Sequence, residues 1–162
     1  MTNHDIIRIA IVLAAGLIGS VGFALLFGVA KKHFAFALIS SVISCLAFEI
    51  VLFFTNAMFL ASFVSAGLAA AYSEFMAHRI KTPATVMIII GIIPLVPGAR
   101  LYYTMLGIVR DDMAMFSSNG ESALLIAAGI AVGIIAITAI SRSVNAMLNE
   151  MSNKKNKKAK EK

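Results

Sequence analysis

Five apolar runs, at residues 6–29, 34–54, 57–77, 83–109 and 122–140, follow one another with only short polar stretches between them. Each is close to the roughly 20 residues that an α-helix needs to cross the hydrocarbon core of a bilayer. In lipid every backbone donor and acceptor must be satisfied within the protein, and a helix does this within its own segment. The chain therefore reads as an all-α integral membrane protein of about five transmembrane helices. Its composition agrees: 60% of residues are hydrophobic and 14% charged, against about 25% charged in a soluble domain. The first run is longer than the roughly 7–15 residues of a signal-peptide core, and Asp5 offsets Arg8 beside it, so it reads as a retained span.

Charge sets the expected orientation. The segments at 31–33, 78–81 and 142–162 are basic, whereas those at 55–56 and 111–121 are neutral or acidic. Basic segments stay on the cytoplasmic side. With five spans the N-terminus is then outside and the C-terminus in the cytoplasm, and every charged loop agrees; merging two runs into four spans would put basic and acidic loops on one side. Residues 1–142 form the transmembrane domain. The net charge of +6 comes largely from six lysines between Lys154 and Lys162, and a basic end beside a span is a topology determinant attracted to anionic lipid rather than a nucleic-acid footprint. This tail, 143–162, is too polar to bury a core and is expected to be largely disordered.

The fourth run differs from the others. Lys81 to Leu106 holds all three prolines, and Pro94 and Pro97 lie with Gly98 inside the apolar stretch. Proline removes a backbone donor and clashes with the preceding turn, so the helix is expected to break there, leaving the carbonyls of Ile90 and Ile93 facing the gap. A new helix should begin near Ala99. Its first amides, the positive end of its dipole and the guanidinium of Arg100 together suit a carboxylate. Interrupted helices near the bilayer midplane are a recurrent way for secondary transporters to hold anionic groups and coupling ions. A proline kink that merely shapes helix packing is the simpler alternative.

Polar groups elsewhere fall on regular faces. Gly16, Ser20, Ala24 and Gly28 recur every fourth residue, as do Ser62, Ala66, Ala70 and Glu74; Gly129 and Gly133 form a GxxxG pair. Such stripes let helices approach closely. Ser41, Cys45 and Glu49 share a face that should turn from lipid. Glu49 and Glu74 are candidates for proton coupling or for ion pairs, Glu49 with Arg100 and Glu74 with Arg79. His33 and His78 are expected to be solvated, and Asp111 and Asp112 to form a solvated loop. One cysteine permits no internal disulfide. The sequence has no nucleophile–base set, phosphate loop or metal-ligand spacing, so neither an enzyme nor a bound cofactor or metal is expected.

The segment Ile93-Pro94-Leu95-Val96-Pro97-Gly98, followed by Tyr102 and Met105 and preceded by Lys81-Thr82-Pro83-Ala84-Thr85-Val86, resembles the threonine/serine exporter (ThrE-like) family, in its short YjjB-type membrane subunit. Gly22-Phe23-Ala24-Leu25-Leu26-Phe27 is similar to the opening motif of that family. Gly28 and Ala30 stand where its pattern would have asparagine and proline, and Glu49 is not part of the pattern. The resemblance implies export of small carboxylate-bearing metabolites across the inner (cytoplasmic) membrane: threonine and serine, or a dicarboxylate such as succinate. It marks Pro94, Pro97, Gly98 and Tyr102 as substrate-site residues, to which the electrostatic argument adds Arg100. It also implies a second membrane subunit of the same family as partner, with further copies of this chain as another assembly. The alternatives are a scaffold that stabilises a partner transporter without transporting, and a small oligomeric channel.

Overall fold

The computed structural model describes residues 3–81 and 83–160. Thr82 and the last two tail residues lie outside these, as do the side chains of Lys31, Lys32 and the tail lysines. The described residues form an all-helical chain: α1 (Asn3–Leu26), α2 (Lys31–Thr55), α3 (Met58–Ile80), α4 (Ala84–Ile92), a single 3₁₀ turn (Ile93–Leu95), α5 (Gly98–Val109) and α6 (Met113–Lys160). Four helices are long and apolar enough to cross a membrane, and there are five spans if the bent α4–α5 pair counts as one. At the break the path bends by 54° between residues 84–95 and 98–109.

The connections are tight, and their chemistry explains the helix ends. Gly28 adopts a left-handed φ of +62°, and the amide of Val29 reaches back to the carbonyl of Ala24 at 3.1 Å. This is the Schellman closure, which needs a residue free to adopt positive φ. Asn56, Lys81 and Asp111 take left-handed conformations at the other turns. At the start of α6, Asp112 Oδ1 accepts the amide of Met115 at 2.9 Å. Asp112 therefore caps α6 from the exposed turn that the sequence suggests.

The last helix runs from Met113 to Lys160, and no proline or glycine follows Gly133 to stop it. One expectation is corrected. His33 is not freely solvated: its Nδ1 is buried and has no hydrogen-bond partner among the described residues.

Small residues organise the packing. α3 buries Ala61, Ser62, Ser65, Ala66, Gly67, Ala69, Ala70, Ser73 and Ala77, which allows close approach on two sides. On one side α6 crosses it at the GxxxG pair: a Cβ on Gly129 would stand 2.6 Å from the Phe59 carbonyl oxygen, and one on Gly133 would stand 2.5 Å from that of Phe63. At these positions only glycine permits this contact. On the other side α3 meets α2 and α4, where Ser40 Oγ lies 3.1 Å from Ser73 Oγ and 3.3 Å from the Ala69 carbonyl. The small-residue stripe of α1 covers the break itself, with Gly16 against Pro94, Gly19 against Ile93, and Ala24 buried with Ala37 and Ile90.

Candidate functional site

The prolines act on the chain in sequence. Pro94 removes the donor that Ile90 would have used, and the chain responds by tightening, so that the amide of Ile93 turns back onto the Ile90 carbonyl. The amide of Val96 then reaches the Ile93 carbonyl at 3.2 Å. Pro97 follows with φ −79° and ψ 53°, close to an inverse γ-turn, and the amide of Gly98 closes onto the Val96 carbonyl at 2.8 Å. From there α5 starts in its new direction.

The expected open carbonyls are consequently not open. Ile90 and Ile93 both receive backbone amides, and hydroxyls from two other helices complete the end of α4. Ser20 Oγ on α1 lies 3.4 Å from the Ile90 carbonyl and 2.7 Å from Ser41 Oγ on α2. Ser44 Oγ donates a short hydrogen bond to the Gly91 carbonyl. Buried carbonyls without partners are costly in an apolar medium, and these serines supply the partners. Gly91 makes room for a further serine, Ser40, whose Cβ would stand 3.1 Å from a Cβ placed there.

The far side of the break is open. Between α5 and α6 lies a cavity of about 600 Å³ whose walls include Ile92, Val96, Pro97, Leu101, Phe116 and Leu124. Thr104 is the one polar side chain on its walls, and its hydroxyl donates to the Arg100 carbonyl at 2.7 Å. The cavity thus offers carbon rather than charge. The charge lies beside it: Arg100, exposed in the first turn of α5, donates through Nη1 to Asn119 Oδ1 on α6 at 3.3 Å. Asn119 adjoins the wall residue Gly120, so the pair bridges α5 and α6 next to the cavity.

The residues expected from the sequence are divided by the fold. Pro97, Gly98 and Arg100 gather at the head of α5, with Pro97 on the cavity wall. Pro94 points the other way, onto α1. Tyr102 is 62% exposed and packs edge-on against Tyr103 with ring centroids 5.4 Å apart. Glu49 is half-buried on α2. Glu74 is half-buried on the α6 side of α3, where it accepts a hydrogen bond from Ser141 Oγ at 3.2 Å. Arg79, expected beside Glu74, lies over the ring of Phe75 at 5.1 Å.

Sequence reasoning missed Ser44 and Asn119. Ser44 has the spacing of one turn from Ser41 and Ser40, a signal that the apolar run contains more than one hydroxyl face. Asn119 carries no signal, because its role exists only once α5 folds against α6.

Comparison with known proteins adds the family. No curated protein and no solved structure matches the chain. A family profile described as "Threonine/Serine exporter, ThrE" matches residues 10–140, a stretch that starts within α1, contains α2 to α5 and the break, and ends within α6. The chain is a membrane protein of several spans, and it belongs to the threonine/serine exporter (ThrE) family.

Proposed function

We propose that this chain is one subunit of a secondary exporter of small carboxylate-bearing metabolites, threonine or serine or a dicarboxylate such as succinate, in the cytoplasmic membrane. Its N-terminus is outside and its C-terminus is in the cytoplasm. The observation that carries the reading is the head of α5: a helix N-terminus formed by the γ-turn at Pro97, with the Arg100 guanidinium one turn inside it. Helix amides and a cation favour an anionic group at that position. The substrate carboxylate displaces Asn119 from Arg100, and its apolar part lies against the cavity wall beside Pro97. Glu49 and Glu74 are the candidates for proton coupling within the spans.

The half-formed nature of this site supports a partner. One cation and an apolar wall do not enclose a polar metabolite, since substrate sites combine an apolar lining with several placed polar groups. The missing groups come from a second membrane subunit of the same family. A five-span unit starting outside, next to one starting inside, gives two halves of opposite orientation, as in inverted-repeat transporters.

Reconstitution into liposomes tests this. The chain together with its companion subunit is expected to release preloaded threonine, serine or succinate, whereas each chain alone is inactive. Release by the companion alone would make this chain a scaffold, and conductance from this chain alone would make it a channel.

A further inference from the structure

Three helix ends meet at one level, at the end of the molecule away from the Asn56 turn. α2 and α3 are joined only by Asn56 and Ala57 and so run antiparallel, and Ser40 of α2 faces Ser73 of α3 at 3.1 Å. Seven residues from that contact on each helix (40 to 33 and 73 to 80), about 10 Å along either axis, stand His33 and Ile80. α4 reaches the same level: a Cβ on Gly91 would lie 3.1 Å from Ser40 Cβ, and seven residues before Gly91 (91 to 84) is Ala84, the first residue of that helix. The first turn of α2, with Lys31, Lys32 and His33, therefore adjoins the end of α3, with His78, Arg79 and Lys81, and the start of α4.

The charge of this corner is one-sided. Between Phe27 and Phe48, and between Phe75 and Arg110, the sequence has no acidic residue. Glu74 of α3 lies one turn further in, where it accepts a hydrogen bond from Ser141 of α6, and Arg142 follows Ser141 as a further cation. Two of the three ends are helix N-termini, which carry the positive end of the dipole. Neither N-cap residue, Ala30 or Pro83, caps its helix through a side chain. Beside them is a cavity of about 450 Å³ whose walls include Leu25, Gly28, Val29 and Phe34, so that carbon and positive charge adjoin. His33, next to Phe34, keeps its buried Nδ1 without a hydrogen-bond partner among the described residues.

We propose that this corner binds one anionic phospholipid, with its phosphate among the starts of α2 and α4 and Lys81, and an acyl chain against Leu25, Val29 and Phe34. Cations gathered without a carboxylate among them select an acidic headgroup over a zwitterionic one, and basic pockets between membrane helices on the cytoplasmic side are where such headgroups bind. Helix N-termini hold phosphate by the same physics. The apolar groove distinguishes a lipid from a soluble phosphate, because only the lipid brings a chain to fill it. A lipid seated here joins α2, α3 and α4 at the end of α4 remote from Pro94, and so fixes the arm from which the break bends. The site lies apart from Arg100; only the leaflet that supplies the lipid rests on the proposed orientation.

The test is native mass spectrometry of the delipidated full-length chain in detergent, titrated with phosphatidylglycerol, with phosphatidylcholine of the same acyl chains, and with inorganic phosphate. Phosphatidylglycerol is expected to bind at least about tenfold more tightly than phosphatidylcholine, since each basic residue near the headgroup strengthens binding severalfold. The combined Lys31→Gln, Lys32→Gln and Lys81→Gln variant should lose this preference. Glutamine in place of the six lysines between Lys154 and Lys162 should leave it intact, which separates the corner from the basic tail. Loss of the preference in the tail variant, or its retention by a folded corner variant, would overturn the proposal. Equal affinity of the wild-type chain for the two lipids would overturn it whether or not any variant folds, and so would inorganic phosphate binding as tightly as phosphatidylglycerol. No substrate or companion subunit is present in this measurement, so its outcome is separate from any failure of export.

Discussion

Gly16 of α1 lies directly against Pro94 of the break: a Cβ on Gly16 would stand 3.1 Å from Pro94 Cβ and 3.3 Å from its Cγ. The proline that ends α4 is therefore seated in a recess made by a glycine seventy-eight positions earlier in the chain. A larger side chain must push the break away from α1. Gly16→Leu is expected to destabilise the purified chain by about 1–3 kcal/mol, the usual scale of overpacking. Gly22→Leu, at a position where a Cβ meets nothing within 4 Å, should leave Tm close to wild type. Thermal unfolding of both variants in detergent checks this, and equal Tm values would contradict the seating.

The α3–α6 seam makes a second comparison available. At Gly133 a Cβ would stand 2.5 Å from the Phe63 carbonyl oxygen, whereas at Gly120 the nearest atom would be Thr104 Cγ2 at 3.4 Å. Backbone cannot yield as a flexible side chain can. Gly133→Ala is expected to lower stability by about 1–3 kcal/mol, and Gly120→Ala to be neutral or slightly stabilising because alanine is the better helix former. Measured stabilities in the reverse order would show that the two helices do not cross at this point.

Orientation is open to labelling. In a Cys45→Ala background, Ala57→Cys, in the short neutral turn between α2 and α3, is expected to react with a membrane-impermeant maleimide in intact cells. His78→Cys, in the basic end of α3, should react only after permeabilisation. The opposite pattern would reverse the proposed topology and would put the basic segments outside, against the usual distribution of lysine and arginine.

The fold was legible in the sequence wherever the signal was local. Runs of apolar residues mark the spans, two closely spaced prolines mark the break, and Gly129 with Gly133 marks the seam with α3. Each depends on residues within a turn or two of one another. The state of the break was not legible, because it depends on neighbours far away in sequence. Proline predicts that the Ile90 carbonyl loses its usual donor; only the packed structure brings Ser20 to it and Ser44 to Gly91. Ser20 reads from sequence as one small residue in a packing stripe, and the structure gives it that role together with a polar one. The candidate site was legible in part for the same reason. Pro97, Gly98 and Arg100 are consecutive enough to be read as a helix start, but the contact of Arg100 with Asn119 joins α5 to α6 and requires the turn at Asp111 and Asp112 to be folded.

The central claim is that Arg100 receives the carboxylate of the exported substrate, and not merely that it ties α5 to α6. The decisive measurement is substrate release from proteoliposomes containing this chain and its companion subunit, comparing wild type, Arg100→Ala and Asn119→Ala at equal protein content. The account predicts that Arg100→Ala lowers release at least tenfold and that Asn119→Ala, which leaves the guanidinium in place, retains most of it. Normal release by Arg100→Ala, or an equal loss in both variants, would contradict it.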